Sequence, residues 1–205
     1  MKGWRSLFGF RRRHQPATAY RRVASFADEA TAGTALARML DSPSDGGAAT
    51  SGFRLLTTGM EAFLMRGALA ELAERTLDLQ YYIYRDDDTG ALLTQALLEA
   101  ADRGVRVRLL VDDLNLVGRD EDVAALDGHP HIEVRIFNPF IARHGSPWSR
   151  LANFLADPLR LNRRMHNKSL TVDGAMSVIG VLKIADTSFD TGDGSLFFDL
   201  DVLAA

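Results

Sequence analysis

Between residues 76 and 113 the chain reads strand, helix, strand, and that succession restricts its fold more than any other feature. Residues 76–84, TLDLQYYIY, are rich in the aromatic and branched side chains that suit a pleated surface. After a polar turn at 86–90, residues 90–103 carry Leu92, Leu93, Ala96, Leu97 and Ala100 at helical spacing, directed inward, with Gly104 as the stop. Residues 105–113, VRVRLLVDD, form a second strand. Two strands joined by a helix over about thirty residues make a right-handed crossover and therefore a parallel pair. The expected class is α/β, with a parallel strand pair at its centre.

The remaining periodicity fills in this plan. Residues 59–75 place Met60, Phe63, Leu64, Leu69 and Leu72 at three- and four-residue steps, an amphipathic helix. A short helix is expected at 122–126 and a third strand at 132–138, after which the pattern weakens until residue 162. Residues 28–40 read as one short helix, and Ser42, Pro43, Ser44, Asp45, Gly46 and Gly47 then break the chain. The folded domain is therefore expected over 51–205. Residues 1–50 are expected to be a partly disordered basic arm, helix and linker.

Charge is distributed unevenly along this plan. The net charge is −3, yet residues 1–22 carry seven bases and no acid, so the remainder holds 17 bases against 27 acids, a net −10. The arm interleaves Trp4, Leu7, Phe8 and Phe10 with its arginines, a pattern that suits an anionic lipid surface. The acidity after residue 22 argues against nucleic acid as a partner. No apolar run approaches the ~20 residues that span a bilayer, and the chain has no cysteine. A cytoplasmic protein, peripheral on the inner membrane, is expected.

The chemistry is concentrated in Arg163, Arg164, Met165, His166, Asn167, Lys168, Ser169, Leu170, Thr171, Val172 and Asp173. From Lys168 the run alternates as a strand, with a tight return at Asp173 and Gly174 and an antiparallel partner at 176–180. A period of two sets His166 and Lys168 on one face. An imidazole can attack phosphorus while an ammonium two residues away neutralises charge on the non-bridging oxygens. The chain has only three lysines, so a chance match to HxKxxxxD is rare. Arg163 and Arg164 could steer anionic headgroups toward His166. Asp112 and Asp113 end a strand, where ligands bind in open α/β sheets, although helix capping is the commoner use of such residues. The run Asp86, Asp87, Asp88 reads as a solvated turn rather than a metal site.

HxKxxxxD is the pattern of the phospholipase D superfamily, and residues from about 53 to 205 resemble the first half of a bacterial cardiolipin synthase of that superfamily. The blocks LDLQYYIY (77–84), ADRGVRVRLLVDD (101–113), IEVRIFNPF (132–140), LNRRMHNKSLTVDG (161–174) and FFDLDVLA (197–204) carry the resemblance. It implies an α/β fold with a mixed β-sheet flanked by helices, a phospholipase D-like half-domain truncated at its C-terminal end. It also implies that His166 is the nucleophile or the general acid, and that Lys168 holds phosphate oxygens. Asp173 would fix the turn that orients the motif, and Asp199, with Asp201 second, would orient the histidine. Where the family places a second small residue and a phosphate-contacting asparagine, this chain has Val181 and Lys183. Lys183 is accordingly a substrate-binding candidate, as is Arg164.

The resemblance further implies phosphatidyl transfer through a phosphohistidine, a route that needs no cofactor or metal. The chemistry needs two histidines, and no other histidine here is followed by a lysine two positions on. A second HxKxxxxD half or a homodimer is therefore the expected partner, and phosphatidylglycerol or a similar phospholipid the expected substrate. Two alternatives stand beside this reading. One is a homodimeric phosphodiesterase or nuclease; the other is an inactive truncated half that serves at most as an interaction partner.

Overall fold

The computed structural model describes residues 27–40, 51–113, 116, 119–139, 163–186 and 200–205. The basic arm, the 41–50 linker, most of the 139–162 stretch and Asp199 lie outside the described residues. The elements run α1 (Ala27–Thr31), α2 (Ala35–Leu40), β1 (Phe53–Leu56), α3 (Gly59–Leu72), β2 (Thr76–Tyr81), α4 (Asp88–Asp102) and β3 (Arg106–Asp112). They continue with α5 (Asp120–Asp127), β4 (Ile132–Phe137), β5 (Lys168–Val172), β6 (Met176–Gly180) and β7 (Asp201–Ala204).

One seven-stranded sheet, in the order β1-β7-β6-β5-β2-β3-β4, unites the strands. The crossover inferred from residues 76–113 is there: β2 and β3 are parallel, and so are β3 and β4. Every other pairing is antiparallel, so the sheet is mixed. Leu77, Leu79 and Tyr81 of β2 point to the same face as Val107, Leu109 and Val111 of β3 and Leu170 and Val172 of β5. They form one core with Ala62 and Leu69 of α3, Leu93 and Leu97 of α4, and Leu126 of α5. On the opposite face Asp78 pairs with Arg108 on the neighbouring strand, a cross-strand ion pair at a half-exposed position.

Three expectations change in the folded chain. Residues 28–40 form two short helices instead of one, because Gly33 adopts φ 74° between them. Leu36 of α2 is buried in the common core. Helix α3 is rotated from its apparent apolar stripe: Met60, Leu64 and Leu72 are exposed, while Ala62, Arg66, Leu69 and Ala70 are buried. Leu92 of α4 is likewise exposed, with Leu93, Leu97 and Ala100 buried. The rotation of α3 has a physical cause in the partners that Arg66 finds inside, described below.

The hairpin of β5 and β6 carries the motif. Asp173 and Gly174 both have positive φ, 51° and 63°, and the Ala175 amide donates to the Val172 carbonyl at 2.9 Å. Two consecutive left-handed residues match the right-handed twist of the flanking strands, which is why an Asp-Gly pair suits this return. The Asp173 carboxylate is fully buried and accepts the amides of Glu74 (3.0 Å), Arg75 (2.8 Å) and Thr76 (2.8 Å). It thereby joins the hairpin to the connection between α3 and β2.

Candidate active site

Four chain segments reach the same edge of the sheet. They are the C-terminal ends of β2 and β3, the N-terminal end of β5 and the C-terminal end of β6, as the register requires. Lys168 opens β5, opposite Tyr81 of β2, and is 4% exposed, whereas His166 lies in the open just before the strand. The Lys168 Nζ donates to the His166 carbonyl at 2.8 Å and lies 3.0 Å from Nδ1 and 3.4 Å from Nε2 of the ring. An ammonium has donors only, so the ring nitrogen it meets presents a lone pair. Tyr82 backs both groups: its ring centroid is 5.0 Å from the imidazole and 5.8 Å from Nζ. A buried cation near an aromatic face thus stands beside an exposed imidazole.

The motif is held from both sides. At the end of β3, Asp112 is buried and accepts the Met165 amide at 3.2 Å and Arg164 Nη1 at 3.1 Å. Asp112 therefore does not end in solvent; it fixes the backbone immediately before His166. Arg164 is held by this carboxylate, while Arg163 is exposed and its carbonyl accepts Asn138 Nδ2 at 2.9 Å. On the other side the Tyr82 amide donates to the Asn167 carbonyl at 3.1 Å, and Asn167 Nδ2 donates to Gln80 at 2.7 Å. Asp173 lies just past the far end of β5, about 16 Å from Lys168 at about 3.3 Å per residue over five residues. It is thus placed to anchor the strand and not to meet a bound phosphate.

Lys183 is brought to this edge by topology. The strand order places β5 between β6 and β2. The chain leaves β6 at Gly180, next to the start of β5, and three residues later Ile184 bridges Tyr84, beyond the end of β2. The Ile184 amide donates to the Ile83 carbonyl at 3.2 Å and its carbonyl accepts the Arg85 amide at 2.9 Å. Residues 181–183 must therefore cross the N-terminal end of β5, where His166 stands. Lys183 is exposed there.

Residues 68–198 match the family model described as cardiolipin synthase, PLD-like domain. The chain belongs to this family. Cardiolipin synthase C of Escherichia coli K12 is 54% identical over 149 residues, which are 73% of this chain and 31% of that protein. The cardiolipin synthase of Geobacillus kaustophilus is 32% identical over 138 residues, 64% of this chain and 24% of that protein. This member of the cardiolipin synthase family thus spans less than a third of the length of either relative. NucT from Helicobacter pylori shares the fold at TM-score 0.55 and 12% identity, over 76% of this chain and 86% of NucT. Among the described residues of this phospholipase D-like domain, no helix is long and apolar enough to cross a membrane.

Two features of the domain's site escaped the sequence reading. Arg66, in the middle of α3, is fully buried; its Nε donates to the Tyr81 hydroxyl at 2.7 Å, Nη1 to the Ala62 carbonyl at 2.8 Å and Nη2 to Asp201. Burial works against the Arg66 charge, but Tyr81 and Asp201 outweigh it and leave its pKa above the ordinary arginine value. Burial also raises the Tyr81 hydroxyl. Asp201 spends one oxygen on Arg66 and the other on the amides of Val181 (3.0 Å) and Leu182 (3.2 Å), so it does not orient His166, the role for which it was second candidate. The second feature is a clasp at the start of α4. Asp87 caps the helix through Gly90 and accepts the Asp186 amide at 2.9 Å, while Asp186 accepts the Thr89 amide at 2.8 Å. Burial raises the Asp87 carboxyl; burial acts the same way on Asp186, but the hydrogen bonds from Thr89 prevail and lower it. The acidic run at 86–88 is therefore a capping device, with Asp86 paired to Arg119 at 3.2 Å. A lone arginine among apolar helix positions was the visible signal for the first feature; none marked the second.

Proposed function

We propose that the domain is a phosphatidyltransferase of cardiolipin-synthase type that works when its motif is paired with a second HxKxxxxD copy. The observation that carries this reading is the exposed His166 ring against the buried Lys168 ammonium, at an edge that the Lys183 backbone crosses. A ring nitrogen of His166 attacks the phosphorus of a phospholipid such as phosphatidylglycerol. A P–N bond forms, the P–O bond to the headgroup alcohol breaks, and the leaving oxygen takes its proton from the histidine of the second copy. The hydroxyl of an acceptor lipid then attacks phosphorus, gives its proton to that same histidine, and the P–N bond breaks with its electrons returning to His166. Throughout, Lys168 and Lys183 balance charge on the non-bridging oxygens. Asp199 remains our candidate to orient the imidazole, and the protein acts peripherally at an anionic membrane surface.

The test is phosphatidyl transfer in phosphatidylglycerol vesicles over a series of protein concentrations. A specific rate that rises with concentration is expected, because two copies must meet to supply two histidines. A folded protein inactive at every concentration, and inactive also when mixed with a second HxKxxxxD half, would overturn the reading.

A further inference from the structure

Arg66 and Asp201 are both fully shielded from solvent. A buried ion pair is a poor stabiliser, since apolar residues of similar volume often do as well. This pair does something apolar residues cannot. While Arg66 holds one oxygen of Asp201, the other accepts two consecutive amides, those of Val181 and Leu182, from a turn that has just left the sheet. Gly180 is fitted to the arrangement, because a Cβ there would overlap the Asp201 carboxylate. The turn is fastened again beyond Lys183, by the bridge from Ile184 to Tyr84 and by the Asp87 and Asp186 clasp on α4. Arg66 also reaches the Tyr81 hydroxyl, and Tyr81 stands opposite Lys168.

We infer that Arg66 and Asp201 are positioning residues that fix the 180–182 turn and so hold Lys183 over His166 and Lys168, as a second cation for the substrate phosphate. The inference rests on the reading of His166 and Lys168 as a phosphate site. Lys183 is a flexible side chain whose usefulness to an anion depends on where its backbone stands. Two buried charges near the rim, contacting no substrate themselves, set that position.

Two measurements test this on the full chain. The first is amide hydrogen exchange by NMR in wild type, Asp201→Ala and the double variant Arg66→Met/Asp201→Ala, which leaves no buried charge unpaired. Exchange at Val181 and Leu182 is expected to quicken at least about tenfold while Leu170 and Val178 stay protected, since only the former lose an acceptor. Unchanged exchange at Val181 and Leu182, or a uniform rise across β5 and β6, overturns the clasp. The second is a titration with inorganic phosphate followed at the His166 ring resonances. Lys183→Ala should weaken phosphate severalfold in wild type and have no further effect in Asp201→Ala. An equal loss in both backgrounds overturns the positioning role. A wild-type ring that ignores phosphate, with exchange behaving as expected, overturns the phosphate site itself and reduces the pair to a local clasp.

Discussion

His166→Ala is expected to lower phosphatidyl transfer by about three orders of magnitude or more, without unfolding the domain. Removing a nucleophile removes the covalent route altogether, and what survives is only the binding of substrate beside Lys168. The fold is indifferent to this change for a structural reason. The His166 side chain is exposed, with the Lys168 ammonium and the Tyr82 ring beside it among the described residues, so truncation leaves no buried cavity there. The thermal midpoint should therefore move by no more than about 0.5 kcal/mol of stability implies. Loss of activity with an unchanged midpoint is the expected pair of results, read by vesicle transfer and by calorimetry. Transfer that survives in His166→Ala would remove the histidine from the chemistry.

Arg66→Met should do the opposite, acting on stability first. It leaves the Asp201 carboxylate buried without its cation, and breaking one side of a buried ion pair costs about 3–5 kcal/mol. The Tyr81 hydroxyl also loses the donor it meets at 2.7 Å. The double variant Arg66→Met/Asp201→Ala should recover part of the loss, because the stranded charge is gone while the Val181 and Leu182 amides stay unsatisfied. Denaturant unfolding of the wild type and the two variants reads this directly. A single variant as stable as wild type would mean that Asp201 finds other relief, and the α3 rotation would need a different cause.

The sequence made some of this legible and hid the rest for identifiable reasons. The crossover at 76–113 was readable because β2, β3 and α4 each carry a strong local period and turn chemistry at their ends. The hairpin around Asp173 and Gly174 was readable because its turn type demands those residues. Strand β1, Phe53–Leu56, went unnoticed: it is a four-residue edge strand whose partner is the last strand of the described chain, and local periodicity cannot report such a pairing. The face of α3 was misjudged because counting apolar positions assigns Arg66 to solvent, and buried partners distant in sequence, Tyr81 and Asp201, 15 and 135 positions later, reverse that preference. Asp112 illustrates the same limit, since its partners lie on the segment 52 and 53 residues downstream. At the site, His166 and Lys168 were visible as neighbours two apart. The route that carries the Lys183 backbone past the start of β5 was not, because it depends on the chain leaving β6 across β5 to reach Tyr84.

The most direct measurement is the covalent state of His166 during turnover. Protein turning over phosphatidylglycerol labelled at phosphorus, alone at high concentration or mixed with a second HxKxxxxD half, would be quenched in base, where a phosphoramidate survives, and digested. The label is expected on the peptide that contains His166, and to be absent from His166→Ala. Continued transfer with no label on that peptide, or with label on a different residue, would contradict a reaction that passes through His166.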